Sequence, residues 1–392
     1  MNKRSVRDLD VRGKRVLVRV DFNVPVKGGE VTDDTRIRRA LPTIRQLLSE
    51  GAKPALISHL GRPKGEPDPQ YAMDPVAKRL EELLGEPVTK LDTAIGPEVG
   101  NALDGLGGGV VLLENSRFYP GETKNDAGFA EELATPFDLY VDDAFGAAHR
   151  AHATTVGAAE RLPGAAGLLM EAEIDYLDGV LSDPERPFVA ILGGAKVSDK
   201  LGVIESLLRV ADSLLIGGAM CFTFFKAQGY EVGNSLVEDD YLEEAKRLMD
   251  SAGERLVLPV DVVVADAMEE GAQTQTVPVD GIPSGKMGLD IGPESVGAFR
   301  GEISGARTIF WNGPMGVFEI DAFAKGTEGV AGAVAEASGG GATSVIGGGD
   351  SVAAVNKLGL DDKMSHISTG GGASLEYVEG KELPGVAVLP DK

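Results

Sequence analysis

Short runs of β-branched and aliphatic residues recur along this chain, and most of them end in glycine or in a polar cluster. Longer stretches with a helical pattern of apolar positions lie between them. Strands that alternate with helices in this way predict a mostly parallel sheet covered by helices on both faces. The predicted strands are Arg15–Val20, Ala55–Ser58, Val110–Leu113, Leu139–Val141, Phe188–Leu192, Ser213–Ile216, Leu256–Ala265, Thr308–Trp311, Ser344–Ile346 and His366–Ser368. The predicted helices include Thr35–Glu50, Pro75–Leu84, Lys200–Val210, Glu238–Ser251 and Gly326–Ala337.

Two such sets follow one another, which predicts two doubly wound parallel-sheet α/β domains of the Rossmann-like class. A length of 392 residues agrees with two domains of about 150 residues or more. The amphipathic stretch Gly167–Leu181 is the predicted connecting helix and hinge, since Pro184 disfavours helical geometry at the residue before it. We therefore expect a first domain over 1–166, a connecting helix over 167–182 and a second domain over 183–374.

The charge balance of the chain narrows its possible partners. The 61 acidic residues outnumber the 38 basic ones, so the formal net charge is −23. A nucleic-acid binder needs a basic surface to displace counterions, and an anionic membrane attracts basic segments. We therefore expect neither partner. A small anionic substrate is compatible with this net charge, provided that the basic residues that bind it are clustered in one place.

The sequence also indicates the compartment. Cys221 is the single cysteine and lies in an apolar run, which predicts a buried thiol and suits a reducing environment. The polar start of the chain lacks the apolar core of a signal peptide, and no run of about 18 apolar residues occurs. We expect a cytoplasmic protein.

The predicted strand ends of the first half carry a set of cationic and polar side chains. Ligands of open α/β sheets bind beyond the carboxyl ends of the strands. Arginine holds phosphate and carboxylate groups through a rigid fork of donors, so four arginines at such ends indicate a pocket for a small anion with several charges. For any single arginine, a surface ion pair is the favoured interpretation; the four together favour the pocket. The residues are Asp21, Asn23, Arg36, His59, Arg62, Arg117, His149 and Arg150.

The predicted strand ends of the second half carry glycine-rich turns, over 193–200, 345–351 and 367–374. Glycines and helix starts present backbone N–H groups to phosphate, and Lys196 and Lys200 are spaced to share a helix face. Asp350 offers a hard oxygen suited to Mg²⁺, and Glu319 is a candidate for ribose hydroxyls. The alternative interpretation is that these turns serve only tight packing of helix on strand, with solvated lysines and a surface carboxylate.

Signatures of several enzyme classes are absent from the sequence. No G-x-G-x-x-G opens a helix, and neither the P-loop nor the protein-kinase motifs occur. There is no G-x-S-x-G elbow, and the histidines of the HRAH stretch lack the further ligands that zinc needs. The residue pattern leaves two alternatives to an enzyme that acts on an anion: a nucleotide-binding protein without catalysis, and an NAD-dependent dehydrogenase.

Ten stretches together closely resemble the phosphoglycerate kinase family, over essentially the whole chain. They are RVDFNVP (19–25), DDTRI (33–37), SHLGRP (58–63), LLENSRF (112–118), AHRAHATTVG (148–157), ILGGAKVSDK (191–200), GLDIGP (288–293), WNGPMGVFE (311–319), GGGDS (347–351) and STGGGASLE (368–376). The resemblance implies a glycolytic kinase that reversibly transfers a phosphoryl group from 1,3-bisphosphoglycerate to ADP, giving 3-phosphoglycerate and ATP. It also implies Mg²⁺ as cofactor and a monomer.

The resemblance implies a role for each matching residue. The triose site on the first domain would comprise Asp21, Asn23, Arg36, His59, Arg62, Arg117 and Arg150. The nucleotide site on the second would comprise Lys200, Gly217, Gly218, Gly288, Asn312, Glu319, Gly348, Gly349, Asp350 and Ser351, with Asp350 beside Mg²⁺ directly or through water. Arg36, Lys196, Lys200, Gly371 and Gly372 would surround the transferring phosphoryl group. The segment 375–392 would return to the first domain.

The implied reaction needs no general base. A carboxylate with a pKa near ~4 is already ionised at neutral pH, so in-line positioning and charge neutralisation remain as the tasks of the protein. Substrates held on separate domains must be brought to about 3–3.5 Å, which predicts domain closure. The hinge candidates are Gly167–Leu181 and the crossing near Thr369 and Gly370.

Overall fold

A computed structural model of the chain describes residues 2–392. The chain divides into two compact units. Unit 1 comprises the chain up to Asp175 together with Glu382–Lys392, and unit 2 comprises Tyr176–Lys381. Among the described residues, no helix has both the length and the apolar character that a bilayer crossing requires.

Unit 1 is built on a six-stranded parallel sheet in the order β5-β6-β4-β1-β7-β8. Its strands, with the small hairpin β2–β3, are β1 (Arg15–Arg19), β2 (Val26–Lys27), β3 (Glu30–Val31), β4 (Lys53–Ile57), β5 (Val88–Lys90), β6 (Val110–Leu112), β7 (Leu139–Asp142) and β8 (Gly164–Ala166). Its helices are α1 (Thr35–Ser49), α2 (Asp74–Leu84), α3 (Pro97–Asp104) and α4 (Ala127–Ala134).

Helix α1 shows how the sequence pattern produces this packing. Its buried positions Ile37, Ala40, Leu41, Ile44 and Leu47 recur every three or four residues, so they form one face. That face joins the core cluster that contains the valines of β1. Each large aliphatic side chain buried there contributes about 1.5–3 kcal/mol. The burial fixes α1, and with it the polar residues at its first turn, against the end of β1.

Unit 2 repeats the architecture with a second six-stranded parallel sheet, in the order β11-β10-β9-β15-β16-β17. An antiparallel sheet of three strands, β13-β12-β14, is added to it. The strands are β9 (Phe188–Leu192), β10 (Ser213–Ile216), β11 (Leu256–Val257), β12 (Asp261–Ala265), β13 (Gln275–Pro278), β14 (Met287–Ile291), β15 (Thr308–Asn312), β16 (Thr343–Gly347) and β17 (His366–Ile367). The helices are α6 (Leu201–Val210), α7 (Cys221–Ala227), α8 (Leu242–Ala252), α9 (Pro293–Ser304), α10 (Lys325–Gly339), α11 (Gly349–Lys357) and α12 (Gly372–Val378).

The predicted class, two doubly wound parallel-sheet units, is confirmed. One predicted strand is wrong: the run Leu256–Ala265 forms two strands that belong to different sheets. Pro259 lies between them and has no N–H to donate to a ladder, so a single continuous strand is disfavoured there. The first piece, β11, pairs in parallel with β10, while β12 pairs antiparallel with β13 and β14.

The predicted connecting helix is present as α5 (Leu168–Ser182), and the boundary between the units falls within it. Asp143, which follows β7, accepts hydrogen bonds from the backbone N–H groups of Leu169 (2.9 Å) and Met170 (3.4 Å). These bonds satisfy donors that a helix start leaves unpaired. They fix the start of the connecting helix to the main sheet of unit 1.

The return of the chain to unit 1 begins later than residue 375. Residues 375–381 belong to unit 2, where α12 packs on α6 and the Tyr377 hydroxyl donates a hydrogen bond to Asp178. The returning segment Glu382–Lys392 contains α13 (Pro384–Ala387). It is held by the hydrogen bonds Arg4 N–H to Pro390 O (2.8 Å) and Gly385 N–H to Ala148 O (2.9 Å).

Candidate active site

The end of β1 in unit 1 brings together the first predicted pair. Asp21 is buried just beyond the strand, and Arg36, one residue into α1, donates a hydrogen bond to its carboxylate. Asn23 accepts a hydrogen bond from the backbone N–H of Gly61 at 2.9 Å. The loop after β1 is therefore tied both to α1 and to the loop after β4.

The loop after β6 contributes Arg117. Its Nη1 donates to the carbonyl of Gly61 at 2.7 Å, so the loops after β4 and β6 meet. The Nε of Arg117 is buried and finds no hydrogen-bond partner among residues 2–392. Burial, and then the charges of Arg19 and Arg150, lower the pKa of Arg117 from its ordinary value. Such mutual repulsion shows that several cations share this region, which favours an anionic ligand.

Arg62 and Arg150 complete the predicted cationic set. Both are exposed. Burial and Arg19 have the larger effects on the pKa of Arg117, and the charges of Arg150 and Arg62 lower it further. Arg150 also donates from Nε to the Nε2 of His149 at 3.0 Å. The structure therefore gathers all four predicted arginines at one edge of the sheet in unit 1.

Arg19, a fully buried arginine, lies close to this set and was not predicted as a site residue. Its guanidinium donates to the carbonyl of Val20 and, at 3.0 Å, to the Nδ1 of His59. Because arginine cannot accept a hydrogen bond, Nδ1 of His59 is the acceptor, and the ring proton lies on Nε2. Burial, followed by the charges of Arg19 and Arg117, holds the pKa of His59 well below its ordinary value of 6.5. His59 is thus a neutral donor among cations.

His152 behaves in the same way as His59. It is buried in the loop after β7, and burial together with neighbouring arginines lowers its pKa to about 4. With both histidines neutral, the positive charge of this cluster at neutral pH resides on its guanidinium groups.

A cavity of about 750 Å³ opens in unit 2. Its volume falls in the range of small-molecule sites, about 300–1,000 Å³. Four predicted residues line it, namely Gly218, Gly288, Glu319 and Asp350. Much of the remaining wall is apolar and comprises Leu236, Met268, Met287, Leu289, Val317 and Ile320. A wall of this kind suits the flat face of a heterocyclic base.

Two predicted glycines are required by the backbone around this cavity. Gly218 adopts φ +68° after β10, and a Cβ there would lie 2.5 Å from the backbone nitrogen of Gly194. Gly348 adopts φ +86° after β16, and a Cβ there would lie 2.9 Å from Nδ2 of Asn312. Left-handed φ values strain other residues, so both turns depend on glycine. Gly217, also predicted, precedes Gly218 and packs against Met315.

Lys200, in the segment after β9, contacts Asn312, the last residue of β15, at the point where the strand order of unit 2 reverses. The ammonium group of Lys200 donates to Oδ1 of Asn312, whose Nδ2 is buried and has no hydrogen-bond partner within the described chain. Burial lowers the pKa of Lys200, while nearby carboxylates, Asp350 among them, oppose that shift. An unsatisfied amide donor and a partly buried cation form a site for anionic oxygens.

The predicted helix starts after β16 and β17 are present in unit 2, whereas α6 begins only at Leu201, so Lys196 and Lys200 do not share a helix face. Gly348 precedes α11, whose first turn contains Gly349, Asp350 and Ser351. The buried Ser351 hydroxyl accepts a hydrogen bond from Gly313 N–H, so it acts within the protein. Gly371 and Gly372 lie at the start of α12, and Lys196 is exposed in the turn after β9. These last three residues lie outside the wall of the cavity.

The donor set fits a magnesium ion carried by a nucleotide. Among residues 2–392 there is no group of three or more side chains of the types that enclose a metal. Asp350 offers one exposed carboxylate on the cavity wall, at the first turn of α11. Mg²⁺ commonly takes one or two protein carboxylates and fills its shell with phosphate oxygens and water, so the residues present are sufficient.

Known proteins are similar to this chain over nearly its whole length. The family model described as phosphoglycerate kinase matches residues 6–381. A phosphoglycerate kinase of Rubrobacter xylanophilus is 81% identical over 392 residues, which cover 100% of this chain and 99% of that protein. One from Thermosipho africanus is 57% identical, with 100% and 99% covered.

The chain belongs to the phosphoglycerate kinase family.

Solved structures agree with that assignment. The phosphoglycerate kinase of Coxiella burnetii superposes with a TM-score of 0.88 at 40% identity and 98% coverage of both chains. The enzyme of Pyrococcus horikoshii gives 0.85 at 34% identity, again with 98% of both chains covered. As a phosphoglycerate kinase, the chain is an ATP:3-phosphoglycerate 1-phosphotransferase of glycolysis, and its substrates are 3-phosphoglycerate and the adenine nucleotides. The family membership that the ten motifs predict is confirmed.

Sequence reasoning missed several residues that shape the arginine cluster of unit 1 and the cavity of unit 2. Arg19 ends an apolar strand, and no local pattern distinguishes it from an ordinary strand-end cation. Leu236 and Met268 are half exposed on the cavity wall. Neither belongs to a run with a strand or helix pattern, so only the folded chain reveals their shared position.

Proposed function

We propose that the chain carries out its reaction by direct in-line transfer, with the triose held on unit 1 and the nucleotide on unit 2. The supporting observation is the contrast between the two units. One gathers guanidinium groups at its strand ends, while the other offers a glycine-bounded, largely apolar cavity beside a helix start. A phosphorylated three-carbon acid needs charge, whereas a nucleoside diphosphate needs an apolar wall and phosphate donors.

In the triose site, the guanidinium groups of Arg36, Arg62, Arg117 and Arg150 neutralise the phosphate and the carboxylate. Neutral His59 donates from Nε2. Asp21 accepts from a substrate hydroxyl and orients Arg36 through their ion pair, and Asn23 fixes the adjoining loop. Unlike a lysine, each arginine offers two parallel donors to one anionic group, which fixes its orientation.

In the nucleotide site, the base lies against the apolar wall near Gly217, Gly218 and Gly288, and Glu319 accepts from the ribose. Lys200, the Nδ2 of Asn312 and the backbone over Gly348–Ser351 bind the phosphates. Asp350 holds Mg²⁺ directly or through water. The ion, when bound, neutralises charge on the phosphate oxygens and orients them.

The transfer itself requires no general base. The attacking carboxylate is ionised at neutral pH, as is a nucleotide phosphate oxygen in the other direction. Arg36, Lys196, Lys200 and the N–H groups of Gly371 and Gly372 compensate the charge that spreads over the transferring group. Since the two substrates bind to different units, closure about α5 brings them together. The chain returns to unit 1 between Lys381 and Glu382, so the predicted crossing near Thr369 and Gly370 is wrong in position, and these two residues lie within unit 2.

Phosphorus stereochemistry tests direct transfer. ATP made chiral at its γ-phosphorus with sulfur and oxygen isotopes is incubated with 3-phosphoglycerate, and the configuration of the product is determined. A single in-line displacement inverts the configuration. Retention would require two displacements and a phosphorylated residue, and it would overturn the proposal.

We also propose that the chain acts as a cytoplasmic monomer with no nucleic-acid or membrane partner. The net charge of −23 disfavours both anionic partners, and the buried Cys221 suits a reducing compartment. Light scattering coupled to gel filtration is expected to give the mass of one chain, 40.9 kDa. A mass of twice that value at assay concentrations would contradict the monomer.

A further inference from the structure

Glu122 is a fully buried carboxylate that the mechanism above does not use. It lies between the turn that carries Arg117 and helix α4. Its carboxylate accepts hydrogen bonds from Ser116 and Thr154, and an anionic group would repel an anionic triose. Its place beside the arginine cluster therefore calls for a role other than substrate binding.

The carboxylate of Glu122 joins two loops of unit 1. Its Oε1 accepts from the hydroxyl of Ser116 at 3.2 Å, on the loop after β6. The same oxygen accepts from the hydroxyl of Thr154 at 2.6 Å, and Oε2 accepts from the backbone N–H of Thr154 at 3.0 Å. Thr154 belongs to the loop after β7. The backbone carbonyl of Glu122 adds a bond from Ala153 N–H at 2.9 Å.

Each of the joined loops carries a predicted triose-binding arginine. Arg117 follows Ser116 directly, and Arg150 lies four residues before Thr154. The negative charge of Glu122 also offsets the mutual repulsion around Arg117. Without the bridge, the two guanidinium groups lose their common anchor, and buried N–H and O–H donors lose their acceptor.

We propose that Glu122 is a positioning residue for the triose site, which holds the loops of Arg117 and Arg150 at a fixed separation. This inference rests on the proposed assignment of those arginines to the triose. It predicts that removal of Glu122 damages 3-phosphoglycerate binding far more than nucleotide binding, because a misplaced bidentate donor loses most of its value.

The test compares Glu122→Ala, Glu122→Gln and a control, Asp126→Ala. Glutamine can keep the bridge, since its Oε1 accepts from Thr154 N–H while its amide donates to the two hydroxyl oxygens, which rotate to accept. Asp126 is exposed in the same segment and caps α4 through Phe129 N–H (2.9 Å), so its loss costs stability without touching the bridge. Steady-state KM values for both substrates are measured well below the melting temperature of each variant.

We expect Glu122→Ala to raise KM for 3-phosphoglycerate by about tenfold or more and to change KM for ATP by less than about twofold. Glu122→Gln should stay within about threefold of the unmodified chain for both substrates, and the control should match the unmodified chain. Equal changes in the two KM values, or an unchanged KM for 3-phosphoglycerate, would overturn the proposal. If Glu122→Ala does not fold, Thr154→Val replaces it and should show the same selective rise.

Arg117→Ala, measured in parallel, separates the two proposals. A raised KM for 3-phosphoglycerate in Arg117→Ala with no change in Glu122→Ala would refute only the positioning role. No change in Arg117→Ala would refute the triose assignment on which that role depends.

Discussion

Units 1 and 2 share one plan but differ in the chemistry that they present at their strand ends. Each has a six-stranded parallel sheet whose strand order reverses at a central strand, and each places its candidate residues beyond the carboxyl ends. In unit 1 these ends carry long charged side chains; in unit 2 they carry glycine turns that expose backbone N–H groups beside an apolar cavity. The shared fold determines where a ligand binds, and the loops determine which ligand it is.

The two units also handle buried charge differently. In unit 1 burial, and then the charges of Arg19 and its neighbours, lower the pKa of His59 well below its ordinary value. The permanent charges of the guanidinium groups therefore determine the electrostatics of this cluster. In unit 2 burial lowers the pKa of Lys200, but nearby carboxylates support its protonated form. A chain with net charge −23 thus gathers several guanidinium groups at one sheet edge of unit 1.

The largest expected effect concerns Arg36. Arg36→Ala removes a charge partner of the transferring group and leaves Asp21 beside the substrate without its counter-ion, so kcat should fall by at least about 10²-fold. Arg39→Ala, at an exposed position of the same helix, is the control and should keep its turnover. A coupled assay with circular dichroism checks activity and fold; near-normal turnover would remove Arg36 from the transfer step.

The next effect separates the nucleotide site from the triose site. Lys200→Ala should weaken ADP binding by about 10- to 100-fold, as loss of a charged hydrogen bond does, and leave 3-phosphoglycerate affinity within about twofold. Lys246→Ala, exposed on α8 of the same unit, is the control. Calorimetric titrations with each ligand measure both affinities, and the opposite selectivity would show that the two sites are exchanged.

Ionic strength should affect the two sites to different degrees. Raising potassium chloride from about 0.05 M to about 0.5 M shortens the screening length, so the Kd of 3-phosphoglycerate should rise several-fold. The Kd of ADP should rise less, because backbone N–H groups and an apolar wall supply much of its binding. Titrations of one sample with both ligands give the comparison, and a flat triose curve would count against the arginine cluster.

The smallest effect concerns His59. Because its pKa lies well below 6.5, the ring is neutral from about pH 6 to 8 and contributes no charge there. His59→Gln, which keeps a neutral donor, should change the Kd of 3-phosphoglycerate by no more than about threefold, in a ratio that is constant over that range. A ratio that widens below about pH 6.5 would show that the ring gains a proton, contrary to the lowered pKa.

Most of the fold was predictable because its signals are local. Most strands of the two parallel sheets are buried on two faces and therefore appear as continuous apolar runs. The edge strands β5 and β8 were not predicted, since β5 contains two polar residues and β8 only glycine and alanine. The antiparallel sheet β13-β12-β14 was not predicted, since β13 is largely exposed and carries little apolar pattern. The pairing that splits Leu256–Ala265 between two sheets depends on partners far along the chain.

The candidate site was predictable to the extent that it consists of strand-end motifs. Arg36, Arg117 and the turn at Gly348 follow or flank apolar runs, so their shared edge follows from topology. The contribution of Arg19 and Glu122 depends on burial and on contacts across loops, which local sequence does not encode. The later start of the returning segment, at Glu382, likewise reflects the packing of α12 on α6.

The most direct test of the division between the units is a crystal structure of the full chain with 3-phosphoglycerate and a non-hydrolysable ATP analogue. The account predicts the triose carboxylate and phosphate within about 2.7–3.2 Å of the guanidinium groups of unit 1. It predicts the base in the cavity of unit 2 and the phosphates at Lys200 and the start of α11. A triose bound to the glycine turns, or a nucleotide among the arginines, would contradict it.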